Sequence, residues 1–302
     1  MKVIKVGTRK SKLAMTQTQQ LVDQLKALHP ERDFVLVPYT TKGDRLTHVS
    51  LQEIGGKGVF VKEIERALLA GEIDMAVHSL KDMPAKLAEG CALGAISQRD
   101  CLIFRQAGQT LADLPKGALI GTSSIRRQVQ LQAQRPDLAF KPLRGNIDTR
   151  IKKLEEGEYD AIVLAMAGLK RLGWLDKSRL HIQPLETSLC LPAISQGALA
   201  VECREEDEEL RQLLAAVQDE KTAAEVAVER AVLAQMNADC TFPIAAFAQK
   251  KGQDYQLEAM LAKEDGQCVF VSLKGQDGQE LAEQAVRQLA DKGAVGMPWL
   301  KK

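Results

Sequence analysis

Apolar positions along this chain recur at two spacings, and the spacings take turns. Val3, Ile4 and Val6 form a short extended run that stops at Gly7, after which a helical spacing runs over residues 11–28. Residues 34–40 read as extended, 61–70 as helical and 73–78 as extended again. The alternation resumes with an extended 118–121, a helix over 124–134, an extended 140–143, a helix around 148–155 and a strongly apolar extended run over 159–167. Strand and helix alternating in this way predict two α/β units. Beyond Lys221 the order changes to one amphipathic helix (222–236), three strand-like runs (241–249, 255–262 and 268–273) and a last helix near 280–292. That order predicts a small α+β domain built on a three-stranded sheet, with turns such as 250–254 serving as hairpin loops.

Composition narrows the class. At 302 residues, with 45% apolar and 27% charged side chains, the chain has enough material for two or three cores and none of the bias of a disordered or fibrous protein. The first apolar run gives way to a polar glycine turn after six residues, far short of a signal peptide's core, and no run of about 18 apolar residues follows. A soluble, cytoplasmic protein with no membrane partner is expected. Cysteines at 91, 101, 190, 203, 240 and 268 form no C-x-x-C pair and the four histidines no H-E-x-x-H spacing, so neither a metal site nor a disulfide framework is expected. Each cysteine reads by default as a small buried apolar residue.

The net charge of +1 gives no overall field for nucleic acid, yet the charges are not evenly spread. Arg126, Arg127, Lys141, Arg144, Arg150, Lys152, Lys153, Lys170 and Arg171 make the middle third basic, while residues 202–220 are rich in acids. With 4% aromatics there is little on which bases would stack, so a pocket for a small polyanion fits better than a nucleic-acid groove.

Four glycine turns at strand ends carry this chemistry. In Gly121-Thr122-Ser123-Ser124-Ile125-Arg126-Arg127 a strand opens into a helix. Either Ser124 caps the helix beside solvated arginines, or free N–H groups, three hydroxyls and two guanidinia meet an anion. Capping needs one hydroxyl, and paired arginines in a first turn oppose the helix dipole, so a bound anion accounts better for the sequence. Arg144 and Arg150 flank a similar turn at Gly145, Arg171 follows Gly168, and Arg9 with Ser11 follows Gly7. Arginine suits carboxylates because its planar fork donates two parallel bonds. Asp82 ends the apolar run before Pro84, beside Lys81, and reads either as a solvated turn residue or as a charge placed where open α/β sheets bind ligands. Gly55-Gly56-Lys57-Gly58 lacks the phosphate-loop spacing and reads as a plain mobile loop or as a lid carrying Lys57.

Taken in order, the motifs resemble the porphobilinogen deaminase (hydroxymethylbilane synthase) family over essentially the whole length. The matching stretches are GTRKSKLAMTQT at 7–18, GGKGVFVKEIE at 55–65, DMAVHSLKDMP at 74–84, GTSSIRRQ at 121–128, LRGNIDTR at 143–150, AGLKRLG at 167–173, LPAISQGALAVECR at 191–204 and CTFPIAAFA at 240–248. The resemblance implies two hinged α/β domains like those of periplasmic anion-binding proteins (1–97 with 195–215, and 100–190) and an α+β domain (217–302) carrying the cofactor cysteine. It implies a dipyrromethane cofactor in thioether linkage to Cys240 and stepwise addition of four porphobilinogen units with loss of ammonia. Hydrolysis then frees the linear hydroxymethylbilane. Asp82 is the implied catalytic carboxylate, stabilising a cationic azafulvene. Arg9, Ser11, Lys57, Lys81, Thr122, Ser123, Ser124, Arg126, Arg127, Arg144, Arg150 and Arg171 are the implied contacts to ring acetates and propionates. A monomer is expected.

Three departures from the family pattern stand out. Ala238-Asp239 precede Cys240 where two glycines are usual, the connection at 97–101 is about three residues short, and Ser195 replaces a common glycine. Two rivals remain at this stage: a binding protein that has lost catalysis, and a nucleic-acid-binding regulator, which the low aromatic content and the lack of a recognition-helix motif disfavour.

Overall fold

The computed structural model describes residues 3–45, 59–84, 90–93, 98–175, 180–236, 242–263 and 265–294. The chain folds as two compact units, Met1–Ala95 with Ala198–Ala223, and Ile96–Gly197 with Ala224–Lys302.

The first unit is built on a five-stranded sheet. Its strands are β1 (Ile4–Arg9), β2 (Phe34–Tyr39), β3 (Met75–Ser79), β4 (Gly90–Leu93) and, from far along the chain, β10 (Leu199–Cys203), in the order β2-β1-β3-β10-β4. β1 runs parallel to β2 and β3, whereas β10 is antiparallel to β3 and β4. Helix α1 (Lys12–Leu28) starts where the sequence places it, because the Ser11 hydroxyl accepts the Ala14 N–H as an N-cap. Its Leu21, Val22 and Leu25 pack on Ile4, Val6, Met75, Val77, Leu199 and Val201. Each such side chain contributes roughly 1.5–3 kcal/mol when fully buried. α2 is a single turn (Lys42–Arg45), and α3 (Lys62–Leu69) covers the opposite face with Ile64, Ala67 and Leu68 against Ile73 and Ala76. α7 (Glu208–Ala215) follows β10 and joins the first face through Leu210, Leu213 and Leu214.

The second unit repeats the plan. Its first sheet has the order β7-β6-β8-β5-β9, from β5 (Asp100–Phe104), β6 (Leu119–Gly121), β7 (Ala139–Lys141), β8 (Ala161–Ala165) and β9 (His181–Pro184). β6, β7 and β8 are parallel, and β5 is antiparallel to β8 and β9. α4 (Ile125–Gln134) lies on one face through Leu131, and α5 (Ile147–Glu155) on the other through Ile151 and Leu154. All five side chains of β5 are buried, as expected for a strand covered on both sides. The apolar run expected as a strand over 159–167 is shorter than read: it ends at Ala165 and turns directly into α6 (Met166–Arg171).

The C-terminal part of this unit has its own antiparallel sheet, β11 (Ile244–Lys251), β12 (Asp254–Ala262) and β13 (Cys268–Gly275). Ala245, Phe247, Met260 and Ala262 pack on Leu191 and Val129. The mixed α/β architecture with a small three-stranded C-terminal sheet is thus as expected. Helix α8 (Glu220–Gln235) departs from its amphipathic reading: Glu225, Val226, Val228, Glu229, Arg230, Val232 and Leu233 are all buried, charged residues included. α9 (Gly278–Leu289) closes so near α8 that a Cβ at Gly278 would lie 2.4 Å from Val228 Cγ2.

Candidate active site

In a parallel trio of strands the chain leaves each strand at the same edge of the sheet, where ligands of open α/β folds bind. In the first unit that edge carries the turns after β1 and β3. Gly7, expected as a turn, lies inside β1, where a Cβ would come 2.3 Å from Ile73 Cδ1 and 3.0 Å from Ile64 Cγ2. Two residues on, the Arg9 guanidinium pairs with Asp44 and stacks 4.3 Å from the Phe60 ring centroid. Burial pushes the Asp44 carboxyl up, and bonds from Arg9 and Thr41 more than reverse the effect, leaving it below the ordinary range. Arg9 is therefore held by an internal carboxylate that sequence reasoning missed.

Ser11, expected as a ligand contact, spends its hydroxyl on the α1 cap (3.3 Å). After β3 a 3-10 turn, Leu80–Asp82, is fixed by Leu80 N–H donating to Ala198 O (3.0 Å) and by the buried Leu80 and Met83. Lys81 and Asp82 lie half-buried on that turn. Among the described residues no hydrogen bond or ion pair engages the Asp82 carboxylate.

In the second unit the edge carries the turns after β6, β7 and β8. Gly121 admits no side chain, because a Cβ would meet Tyr159 at 2.8 Å and Ile162 at 2.9 Å. The three hydroxyls that follow do not act alike. Thr122 is buried and accepts the Ser124 N–H (3.2 Å), and Ser123 both donates to Leu143 O (2.9 Å) and accepts Leu143 N–H (3.0 Å). Ser124 holds the N-cap position of α4 without making a capping bond.

The arginine pair corrects the sequence argument. Arg126 and Arg127 are buried, and both donate to Asp100 at the start of β5, at 2.7 Å and 2.6 Å. Their conflict with the helix dipole is answered inside the protein, by a carboxylate 26 residues away in sequence rather than by an external anion alone. Burial would raise the Asp100 carboxyl, but the two guanidinium charges and their bonds hold it far below the usual carboxylate range.

The turn after β7 places Gly145 at φ +116°, where a side chain would be strained and would meet Thr149 at 2.9 Å. Asn146 caps α5 by accepting Thr149 N–H (2.8 Å), and Arg150 Nε donates to Gly145 O (2.7 Å). Arg144 is half-buried, and burial lowers its pKa. Arg171, at the end of α6, is 8% exposed. Its Nη2 donates to Gly197 O (2.8 Å), its buried Nε has no hydrogen-bond partner among the described residues, and burial brings its pKa down to about 10. Among the described residues no carboxylate pairs with it. A buried cation so placed calls for an anion.

The segment before β10 is tied down at three successive residues. Ser195 N–H donates to Glu229 on α8 (2.6 Å), Gln196 Nε2 donates to Gln98 O (2.6 Å) and Asp100 (3.0 Å), and Gly197 O accepts from Arg171. Ser195 adopts φ +60°, the left-handed conformation in which glycine costs least, so its replacement of the family's glycine carries strain. Glu229 also accepts Ala248 N–H (3.0 Å). Burial pushes its carboxyl up, the two N–H donors pull it down, nearby Glu225 adds to the rise, and the result is about 8.

Cys240, Lys57, Gly55, Gly56, Gly58, Ala238, Asp239 and Ser97 lie outside the described residues. Cys101 and Cys190 are buried thiols pushed up to about 12, by burial first and then by Asp100, and so do not act as nucleophiles. No metal-binding cluster occurs among the described residues.

The model of the porphobilinogen deaminase dipyromethane cofactor binding domain matches residues 4–212, and that of the porphobilinogen deaminase C-terminal domain matches residues 223–292. The porphobilinogen deaminase of Streptococcus sanguinis is 95% identical over the full length of both chains. That of Geobacillus kaustophilus is 50% identical over 98% of this chain and 97% of its own, and that of Bacillus subtilis 50% identical over 97% and 95%. Among solved structures, an arginine-specific periplasmic binding protein of Salmonella typhimurium aligns with a TM-score of 0.42 at 13% identity, covering 74% of this chain and 94% of its own. With family models spanning nearly every residue and relatives at half identity or more along their whole length, the chain belongs to the porphobilinogen deaminase family.

Proposed function

We propose that the site residues divide the family's reaction between one carboxylate and a set of buried or half-buried guanidinia. The activity is hydroxymethylbilane synthesis, a transferase reaction that joins porphobilinogen units and releases ammonia. The dipyrromethane cofactor supplies the pyrrole end to which substrate units are joined. This chain's donor set fits such a group: the buried Arg171, with an unmatched Nε and no carboxylate partner among the described residues, is what a ring acetate or propionate would satisfy. That observation carries the reading of the site.

Asp82 is assigned the charge-stabilising role. Loss of ammonia from the aminomethyl pyrrole leaves a cation shared with the ring N–H, and a carboxylate that no described residue engages is available to it. Arg171, Arg144 and Arg150, with Lys81, Ser124 and Lys57, are assigned to the carboxylates of the rings. Arg9, Arg126 and Arg127 belong to the same set, each already anchored on an internal carboxylate that fixes its plane. Ser11, Thr122 and Ser123 have structural bonds, so their part is to hold the turns from which these groups project. Cys240 is assigned the thioether to the cofactor. The division into 1–97 with 195–215, 100–190 and 217–302 is part of the reading and is supported by the separate three-stranded sheet. No described helix is long and apolar enough to cross a membrane, and a monomer in the cytoplasm is proposed.

The deciding measurement is the intact mass of the denatured protein beside a Cys240→Ala variant. A mass excess of two condensed pyrrole units in the first and none in the second is expected. No excess in either, even after incubation with porphobilinogen, would return the binding-protein reading to the front. Arg171→Leu and Arg144→Leu should each stall the growing chain at an intermediate length, resolved in the same spectra, whereas equal slowing of every addition would contradict separate roles for them.

A further inference from the structure

Two guanidinia and one carboxylate do not cancel. Arg126 Nη2 and Arg127 Nη2 each take one oxygen of Asp100, so the buried cluster keeps one positive charge. Cys101 and Cys190 stay protonated beside it and supply no second negative charge. The remaining arms are aimed at backbone: Arg126 Nη1 donates to Leu191 O (2.6 Å) and Arg127 Nη1 to Val163 O (3.1 Å). Arg127 Nε is buried and has no acceptor among the described residues. Asp100 is itself held, by the Gln196 amide at 3.0 Å, and that amide also donates to Gln98 O. A carboxylate tied from three sides fixes the planes of both arginines while spending only half of their charge.

We propose that Asp100 is the positioning residue of a carboxylate subsite formed by Arg126 and Arg127, and that it sets the capacity of this subsite at one carboxylate of the growing ring chain. The proposal rests on the assignment of the arginines to ring carboxylates made above. A merely structural Asp100 would lower every addition step alike, in proportion to folded protein. A positioning Asp100 acts at the chain length whose carboxylate meets the pair.

The test follows primed enzyme through single additions of porphobilinogen, with intact mass resolving each length, for the wild type, Arg126→Gln, Arg127→Gln and Asp100→Asn. Asp100→Asn should stall at the same length as the arginine variants, with that step slowed at least about tenfold more than the others. Equal slowing of all steps, or a stall at a different length, overturns the proposal. If Asp100→Asn does not melt cooperatively, Gln196→Leu carries the same comparison, because it removes the amide on Asp100 and no charge: a weaker stall at the shared length supports the proposal and uniform slowing overturns it. The wild type separates the two levels of argument. Ring addition by the wild type with no shared stall overturns only the role of Asp100, whereas no ring addition by the wild type overturns the assignment beneath it as well.

Discussion

Asp100 and Glu229 are both shut off from water in the same unit, yet they settle in opposite charge states. Asp100 sits between two guanidinia and ionises far below the ordinary range, while Glu229 receives only two backbone N–H groups and keeps its proton to about pH 8. Burial raises both carboxyls, and the difference lies in what approaches them. Full positive charges overcome desolvation; amide dipoles reduce it without overcoming it. Asp82 differs from both in its surroundings: it is half-buried, and no described residue engages it.

The contrast can be broken at four points. The largest effect is expected at Asp100→Asn, which strands one of two buried guanidinia: urea unfolding should show a loss of about 3–5 kcal/mol. A loss near zero would mean that the arginines find another acceptor. Asp82→Asn should do the reverse, lowering turnover at least about a hundredfold, as for removal of a charge-stabilising group, with unchanged unfolding and substrate-derived rings still bound. Near-normal turnover would remove Asp82 from its role.

Glu229 comes next. Its folded pKa lies above the ordinary 4.5, so its contribution to stability is fully present below that value and is lost as pH rises through about 8. Glu229→Gln should flatten this window and be more stable than the parent at pH 9 by about 1–3 kcal/mol, read from thermal melts at pH 5 and pH 9. The same offset at both pH values would place the titration elsewhere. The smallest effect belongs to Ser195→Gly, which relieves the left-handed φ of +60° and removes a buried hydroxyl with no partner among the described residues. A gain of about 1 kcal/mol is expected, and a loss would show that the hydroxyl has a bond the strain argument ignores.

What was legible in the sequence was local. The start of α1 near Ser11, the turns after β6 and β7 and the strands they follow are written in neighbouring residues, whereas the turns expected at Gly7 and Gly168 are absent, Gly7 lying inside β1 and Gly168 inside α6. What was not legible was pairing across distance. Asp44 beside Arg9, Asp100 beside Arg126 and Arg127, and Glu229 beside Ser195 are joined only by the fold, and each acid looks like an ordinary surface charge in its own stretch. Strand β10 escaped the periodicity for a related reason: it is buried on both faces and shows no alternation of polar and apolar residues. Lys57 and Cys240 were read through motif alone, and their geometry lies outside the described residues.

The placement of β10 also constrains how the protein is made. Until the ribosome has passed residue 203, β3 has β1 on one side and a bare line of backbone N–H and C=O groups on the other, because its second neighbour has not been synthesised. β4, which hydrogen-bonds to β10, has to wait as well. The nascent first unit thus spends the whole translation of residues 96–197 with an unfinished sheet, an open edge of the kind that recruits stray strands. Its completion is a late event by construction, set by strand order rather than by the speed at which helix α1 or the β1–β2 pair forms.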